Sequence, residues 1–167
     1  LLYVSFGSLG SGDTDLMKRL MATLGALPYR VLVNVGDYGD DYEIIPDNCH
    51  VESWYPQPSV IEQVDAVIHH GGNNSFNECL YFGKPALIMP YCWDGHDNAT
   101  HIDERGYGIA MERYTWADAD IAAAVERMVT DRDMQARLDE LSVHMKAENG
   151  TQKGAEALDN LLKQTAG

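Results

Sequence analysis

Ala66-Val67-Ile68-His69-His70-Gly71-Gly72-Asn73-Asn74-Ser75-Phe76-Asn77-Glu78 is the stretch on which the reading of this chain turns. Ala66 to His69 is short and opens on three apolar residues, the pattern of a buried strand. Two glycines and a polar Asn-Asn-Ser follow, and the spacing then predicts a helix over Asn74 to Phe82, closed by Gly83. A strand that passes through glycines into a helix N-terminus presents outward-pointing backbone N–H groups and the positive end of the helix dipole. An anion, and a phosphate before any other, is expected at Gly71 to Ser75.

Outward from this stretch the chain alternates. Strands are predicted at Leu1 to Phe6, Arg30 to Val35, Cys49 to Trp54, Ala86 to Met89 and Gly108 to Glu112, besides Ala66 to His69. Between them lie helical segments. One starts near Asp13 or Thr14, with Leu16, Met17, Leu20, Met21 and Leu24 at helical spacing; others run from Pro58 to Val64 and from Asp97 to Arg105. Thr115 with Asp118 has the pattern of a capping box at the head of a helix through Val129; Asp133 to Lys146 and Thr151 to Gln164 complete the chain. Tyr38 to Asn48 is acidic and irregular and reads as a surface loop. Strand–helix alternation implies parallel pairing through right-handed crossovers. Apolar strands without alternation imply a sheet covered on both faces. The expected fold is therefore α/β: a Rossmann-like, doubly wound parallel sheet of about six strands with helices on both faces. In such a sheet ligands bind at the carboxyl ends of the strands. Gly7-Ser8, Trp54, His70-Gly71 and Pro90 to Asp94 all fall there, so four segments are expected to converge on one crevice.

Composition narrows the partners. The 167 residues amount to a single domain, here taken as 1–167, with enough chain to bury a core. A formal charge of −14 argues against nucleic acid or an anionic membrane surface. No apolar run approaches the roughly 20 residues of a membrane span. The three cysteines, Cys49, Cys79 and Cys92, are scattered, which points to a reducing, cytoplasmic setting rather than a disulfide framework. The chain begins at Leu1 inside a strand-like run and reads as a piece of a longer protein.

Two competing chemistries are weak. Gly7-Ser8-Leu9-Gly10-Ser11-Gly12 spaces its glycines as G-x-x-G-x-G, not the G-x-G-x-x-G of dinucleotide binders. His69, His70, His96, His101 and Cys92 form no zinc pattern. Adjacent strand residues point to opposite faces, so His69 and His70 do not share an ion. No metal is expected.

Between Trp54 and Asn98 the chain resembles the donor-binding signature of family 1 UDP-glycosyltransferases, carried by Trp54-Tyr55-Pro56-Gln57, His70-Gly71-Gly72, Asn74-Ser75, Glu78, Gly83-Lys84-Pro85, Pro90 and Asp94. Phe6-Gly7-Ser8 resembles the start of the family's C-terminal domain. The resemblance implies one half of a GT-B enzyme, the C-terminal, nucleotide-sugar half, and an inverting transfer from a UDP-sugar or TDP-sugar to a hydroxyl of a small lipophilic acceptor. It implies that Trp54 stacks the base, with Tyr55 and Gln57 beside it, and that Glu78 accepts from the ribose hydroxyls. His70, Gly72, Asn74, Ser75 and Ser8 would hold the diphosphate, in place of a metal ion. Asp94 would bind sugar hydroxyls. The nucleotide sugar is then a substrate, and no cofactor is implied. The acceptor and the general base would belong to an N-terminal domain, leaving no catalytic residue in this chain. One departure stands out: the family's Asp-Gln pair is Asp94-Gly95 here, followed by His96. Either His96 takes over the missing amide's role, or the sugar is neither glucose nor glucuronic acid. A non-catalytic donor-binding subunit of a split glycosyltransferase and half of a UDP-sugar 2-epimerase are the alternative functions.

Overall fold

The computed structural model describes residues 1–165. Six strands, β1 (Leu2–Ser5), β2 (Val31–Asn34), β3 (Cys49–Glu52), β4 (Ala66–His69), β5 (Ala86–Ile88) and β6 (Gly108–Ala110), form one sheet in the order β3-β2-β1-β4-β5-β6. Every pairing is parallel. The doubly wound α/β fold predicted from the alternation is the fold observed. The strand order reverses between β1 and β4, and the crevice of such a sheet opens at that switch point, outside the carboxyl ends of those two strands.

The helices are α1 (Gly7–Gly10), α2 (Thr14–Gly25), α3 (Gln57–Gln63), α4 (Asn73–Phe82), α5 (Asp94–Glu104), α6 (Asp118–Thr130), α7 (Arg132–Ala147) and α8 (Gly150–Thr165). Helix α8 is exposed over residues 150–164 and covers neither face, whereas α2 to α7 cover the sheet on two sides. On one, Leu16, Met17, Leu20 and Leu24 of α2 and Ile121, Val125 and Met128 of α6 pack on Leu2, Val4, Val33 and Ile68. On the other, Ile61, Phe76, Leu80, Ile102 and Leu138 from α3, α4, α5 and α7 pack on Tyr3, Val67 and Ile88. The central strands β1, β4 and β5 are wholly buried, whereas the edge strand β3 is half-exposed. No helix among the described residues is long and apolar enough to cross a membrane.

Several boundaries differ from the sequence reading, each for a local reason. The glycine stretch after β1 coils into the one-turn α1, an element absent from the sequence reading. The strand expected to reach Trp54 ends at Glu52. Helix α4 starts one residue early, at Asn73, with Gly72 as its cap, so Ser75 lies inside the first turn and is not the capping residue. Helix α5 starts at Asp94, three residues ahead of the expected Asp97. The capping box expected for α6 is not formed: only half of such a box is present, two residues on, where the Asp120 carboxylate accepts from the Ala117 N–H at 2.7 Å, and Thr115 takes no part. The acidic 38–48 segment begins as a 3₁₀ turn, Gly36–Asp41.

The turn out of β4 is held from the core. His69 is fully buried, and its Nδ1 accepts the Gly71 N–H at 3.0 Å, which places the proton of the neutral ring on Nε2. That Nε2 is buried without a hydrogen-bond partner. Burial, with His70 next to it, drives the His69 pKa down to about 3. Because the folded-state pKa lies below the unfolded value, protonation favours the unfolded chain: stability is complete above pH about 6.5 and is lost as pH falls toward 3. Chemical denaturation between pH 7.5 and 5 is expected to show stability falling by about 1.4 kcal/mol per unit below pH 6.5 from this group alone. His69→Asn, which keeps an acceptor near the Nδ1 position but does not titrate, is expected to flatten that slope. An unchanged slope would place the acid sensitivity elsewhere.

Candidate functional site

A cavity of about 480 Å³ opens at the switch point, lined from β1 by Gly7, Ser8 and Leu9, from β4 by His70 and Gly72 to Ser75, from β5 by Tyr91 to Asp94, and by Gln57 of α3. Three of the four segments expected at the crevice meet there. The fourth, Trp54, lies outside the lining. It sits three residues before Gln57 and is 71% exposed, so it is not a core tryptophan.

Gly71 has φ +86, a backbone conformation that side chains rarely adopt, and it lets the chain swing from β4 into α4. Its carbonyl accepts from Asn98 Nδ2 at 2.7 Å, and the same amide donates to Asn73 Oδ1 at 2.9 Å. A methyl on Gly71 would lie 2.8 Å from Gly95 Cα and Gly95 O, and one on Gly95 would lie 2.6 Å from the His70 carbonyl. The two glycines are therefore in backbone-to-backbone contact, which brings the N-terminus of α5 hard against the turn. The Gly95 departure has a steric reason: the position has no room for a side chain.

Two helix N-termini consequently face one space. The Asp94 carboxylate accepts the Asn73 N–H at 3.1 Å, so the first donor of α4 is taken from within the chain. Asn74 and Ser75 follow in the first turn, where N–H groups have no intrahelical acceptor. His70 stands beside them. Its Nδ1 is buried, and its ring lies against Gly72 and against Gly7, where a methyl would meet Cε1 at 2.9 Å. Burial lowers the His70 pKa first, the nearby Arg113 charge adds to this, and Asp94 and the Ser5 backbone oppose it. At neutral pH the ring is therefore uncharged.

Gln57 ties the other end of the crevice together. Its Nε2 donates to Glu78 Oε2 at 2.7 Å and to Ser75 Oγ at 3.1 Å, while its Oε1 accepts from Tyr3 Oη at 3.3 Å. Glu78 is thus a half-buried, oriented carboxylate on α4, not a solvated helix glutamate. Glu78, like Trp54, is not itself among the lining residues, and two further predicted residues are placed away from this space. Tyr55 turns inward, edge-on to Tyr3, with its hydroxyl donating to the His50 carbonyl at 3.0 Å. His96 lines a separate depression with Pro90, Thr100 and Glu112. Two residues beyond Asp94 on a helix, it lies roughly 200° around the axis from that side chain.

Other residues at the site carried no motif. Asn98, one turn after Asp94, was legible by its i+4 spacing, and both reach back to the start of α4. Trp93 is the one non-glycine residue with positive φ (+46) among the described residues, a conformation that costs about 1–3 kcal/mol. It stands 77% exposed at the crevice. The lining contains no lysine or arginine.

Comparison with known proteins agrees with this architecture. Residues 18–161 match the family model described as erythromycin biosynthesis protein CIII-like, C-terminal domain. The chain is 24% identical over 168 residues to NDP-glycosyltransferase YjiC of Bacillus subtilis (strain 168), covering 99% of this chain and 43% of that protein. It is 28% identical to human UDP-glucuronosyltransferase 2B28, over 83% of this chain and 26% of that one. Among solved structures, the glycotransferase of kitacinnamycin superposes with a TM-score of 0.88 at 27% identity, over 95% of this chain and 42% of that one. CalG4, the calicheamicin glycosyltransferase, does so with a TM-score of 0.88 at 21% identity, over 99% and 43%. The chain thus spans about two fifths of the length of YjiC and of these structures. By sequence and by fold, then, this chain belongs to the erythromycin biosynthesis protein CIII-like C-terminal domains, the C-terminal halves of GT-B glycosyltransferases.

Proposed function

We propose that the chain binds the nucleotide-sugar donor of an inverting glycosyltransferase, which moves a sugar from UDP or TDP to a hydroxyl of a small lipophilic acceptor. The observation that supports this most directly is the junction of β4 and α4. Open first-turn N–H groups, the His70 ring and the Gly71 turn face one cavity at the switch point of the sheet. A diphosphate seated there receives hydrogen bonds from Asn74, Ser75 and His70 Nε2, with the Gly72 backbone and Ser8 alongside. These neutral donors offset charge on the leaving diphosphate, as oriented dipoles do for developing anions elsewhere. In this reading no metal or other cofactor takes part.

Beyond the phosphates, Glu78, one of whose oxygens is held by Gln57, is assigned to accept from ribose hydroxyls. Trp54, exposed and just upstream of Gln57, offers an indole face for the base, an interaction worth about 1–3 kcal/mol. Asp94, in the cavity lining, is assigned to the sugar. Because a side chain at 95 is excluded, the sugar is read by Asp94 without a neighbouring amide. Displacement at the anomeric carbon by the acceptor hydroxyl needs a general base, which this reading assigns to an N-terminal acceptor-binding domain of the whole protein.

Calorimetric titration of the chain with UDP, TDP, uridine, ADP and NAD tests the assignment. UDP or TDP is expected to bind in preference to ADP and NAD. His70→Ala is expected to weaken UDP by about 1.5–3 kcal/mol, the range for hydrogen bonds to charged groups, and to leave uridine unaffected. Trp54→Ala is expected to weaken both. Loss of neither ligand in both variants would remove the donor-site reading.

The crowding at position 95 yields a separate outcome. Gly95→Gln is expected to lower the melting temperature, because overpacking costs about 1–3 kcal/mol and each kcal/mol moves a domain of this size by roughly 2–4 °C. It is not expected to gain affinity for UDP-glucose over UDP. A stable variant with such a gain would show that the position accepts the amide.

A further inference from the structure

Arg113, just past β6, lies outside every motif in the sequence, yet it is 3% exposed and sits behind the crevice. Its Nε donates to Asp13 Oδ2 at 3.2 Å, its Nη1 to the Met89 carbonyl at 3.4 Å and its Nη2 to the Gly10 carbonyl at 3.5 Å. The guanidinium carbon lies 4.7 Å from the Phe6 ring centre, 4.8 Å from that of Tyr91 and 5.8 Å from that of Tyr114. Tyr114 donates its hydroxyl to the same Asp13 oxygen at 2.9 Å. Phe6 and Gly10 bracket α1, Met89 directly follows β5, and Tyr91 belongs to the crevice lining. One planar cation therefore joins the two chain segments that line the crevice from β1 and from β5.

We propose that Arg113 is a positioning residue of the crevice: by stacking on Phe6 and Tyr91 and bonding the Gly10 and Met89 carbonyls, it fixes Ser8, Leu9 and Tyr91 relative to His70. Lysine cannot do this. It carries the charge but neither the plane that stacks on two rings nor the fork that serves three acceptors. The cation has a second effect on the same site. The charged groups facing His70 are Arg113 after β6 and Asp94 on α5, with His69 adjacent and Asp13 partly neutralising Arg113. Arg113 opposes protonation of the ring and Asp94 favours it. The α1 turn also lies close to His70 at Gly7, where a methyl would meet the ring at 2.9 Å. Geometry and charge at His70 are thus set from the same guanidinium.

The test uses the whole chain, with Arg113→Lys, Arg113→Met and Asp13→Asn, and reads two quantities. The first is the titration of His70 followed by NMR of its imidazole, which involves no ligand. The second is UDP affinity, which rests on the donor-site reading above. In Arg113→Met the His70 pKa is expected to rise toward the ordinary histidine value, and in Arg113→Lys to stay close to wild type. Arg113→Lys is nevertheless expected to bind UDP roughly tenfold more weakly and to shift the amide resonances of Ser8, Leu9 and Tyr91. Asp13→Asn preserves the cap of α2 and unmasks the guanidinium, so it is expected to lower the His70 pKa further; it serves where Arg113→Met does not fold. A His70 titration unmoved in both Arg113→Met and Asp13→Asn overturns the electrostatic half. Wild-type amide positions and UDP affinity in Arg113→Lys overturn the positioning half. Should wild type bind no nucleotide, the donor-site reading fails, while the titrations and the Arg113→Lys amide shifts still decide this inference.

Discussion

The hydrogen bond from the Gly71 N–H to Nδ1 of buried His69 is the contact on which the rest of the site depends. A strand must end and a helix begin within three residues, at the point where the sheet changes direction. The chain achieves this by bending back on its own last strand residue, with Gly71 in a left-handed conformation that leaves its carbonyl for Asn98 and its α-carbon for Gly95. Each of these contacts excludes alternatives. The imidazole is locked in one tautomer, the turn accepts no side chain, and α5 starts where the backbone of the turn stops it. The expense is an Nε2–H left without a partner in the core, of the order of 1–3 kcal/mol for a buried unpaired polar group. A side chain with a single acceptor would hold the same turn without it, so the ring is a demanding solution whose bulk also fills the space under β4.

The order of elements was legible because periodicity and burial agree along most of the chain. Central strands covered on both faces must be apolar throughout, and helices at the surface must show a stripe. The helix starts were less legible. Cap signals in the sequence are side chains, whereas the cap positions of α4 and α5 are Gly72 and Trp93, neither of which makes a side-chain cap. The asparagine and serine that look like caps are instead first-turn residues. Ser75 turns its hydroxyl to the Gln57 amide, a bond across 18 positions of sequence that no local pattern announces. The place of His96 was hard to read for a related reason: its position around a helix axis depends on where the helix begins. Once α5 starts at Asp94, the residue two further on faces away.

Long-range polar contacts were the least legible. Gln57, Ser75 and Glu78 were identified as separate ligand contacts from the family resemblance, and the structure joins them in one hydrogen-bonded group anchored on Tyr3 of the first strand. Such a group is high-stakes: fully paired it fixes orientation, and a single loss leaves a buried polar atom exposed to an apolar neighbour. Arg113 is the extreme case. Its partners Asp13, Gly10 and Met89 lie 100, 103 and 24 positions away, and an isolated arginine after a weak edge strand is ordinarily read as solvent-exposed.

If the crevice takes the diphosphate proposed for it, then without lysine or arginine, and in a chain of formal charge −14, it has to attract that anion by orientation instead of net charge. Helix N-termini contribute about 0.3–1 kcal/mol at exposed sites and up to about 2 kcal/mol in partly buried ones, and Asp94 already occupies the first donor of α4. Micromolar affinity requires about 8 kcal/mol, so no one of these groups suffices. Several must act at once on the same ligand atoms. That demand falls on geometry. A displacement of the α1 turn or of α5 by a fraction of an ångström would lengthen several neutral hydrogen bonds together, where a pair of opposite charges would have lost little. The close contacts of Gly7 with His70 and of Gly71 with Gly95, and the rings clamped by Arg113, follow from that requirement: a site that binds through dipoles must be built more rigidly than one that binds through charge.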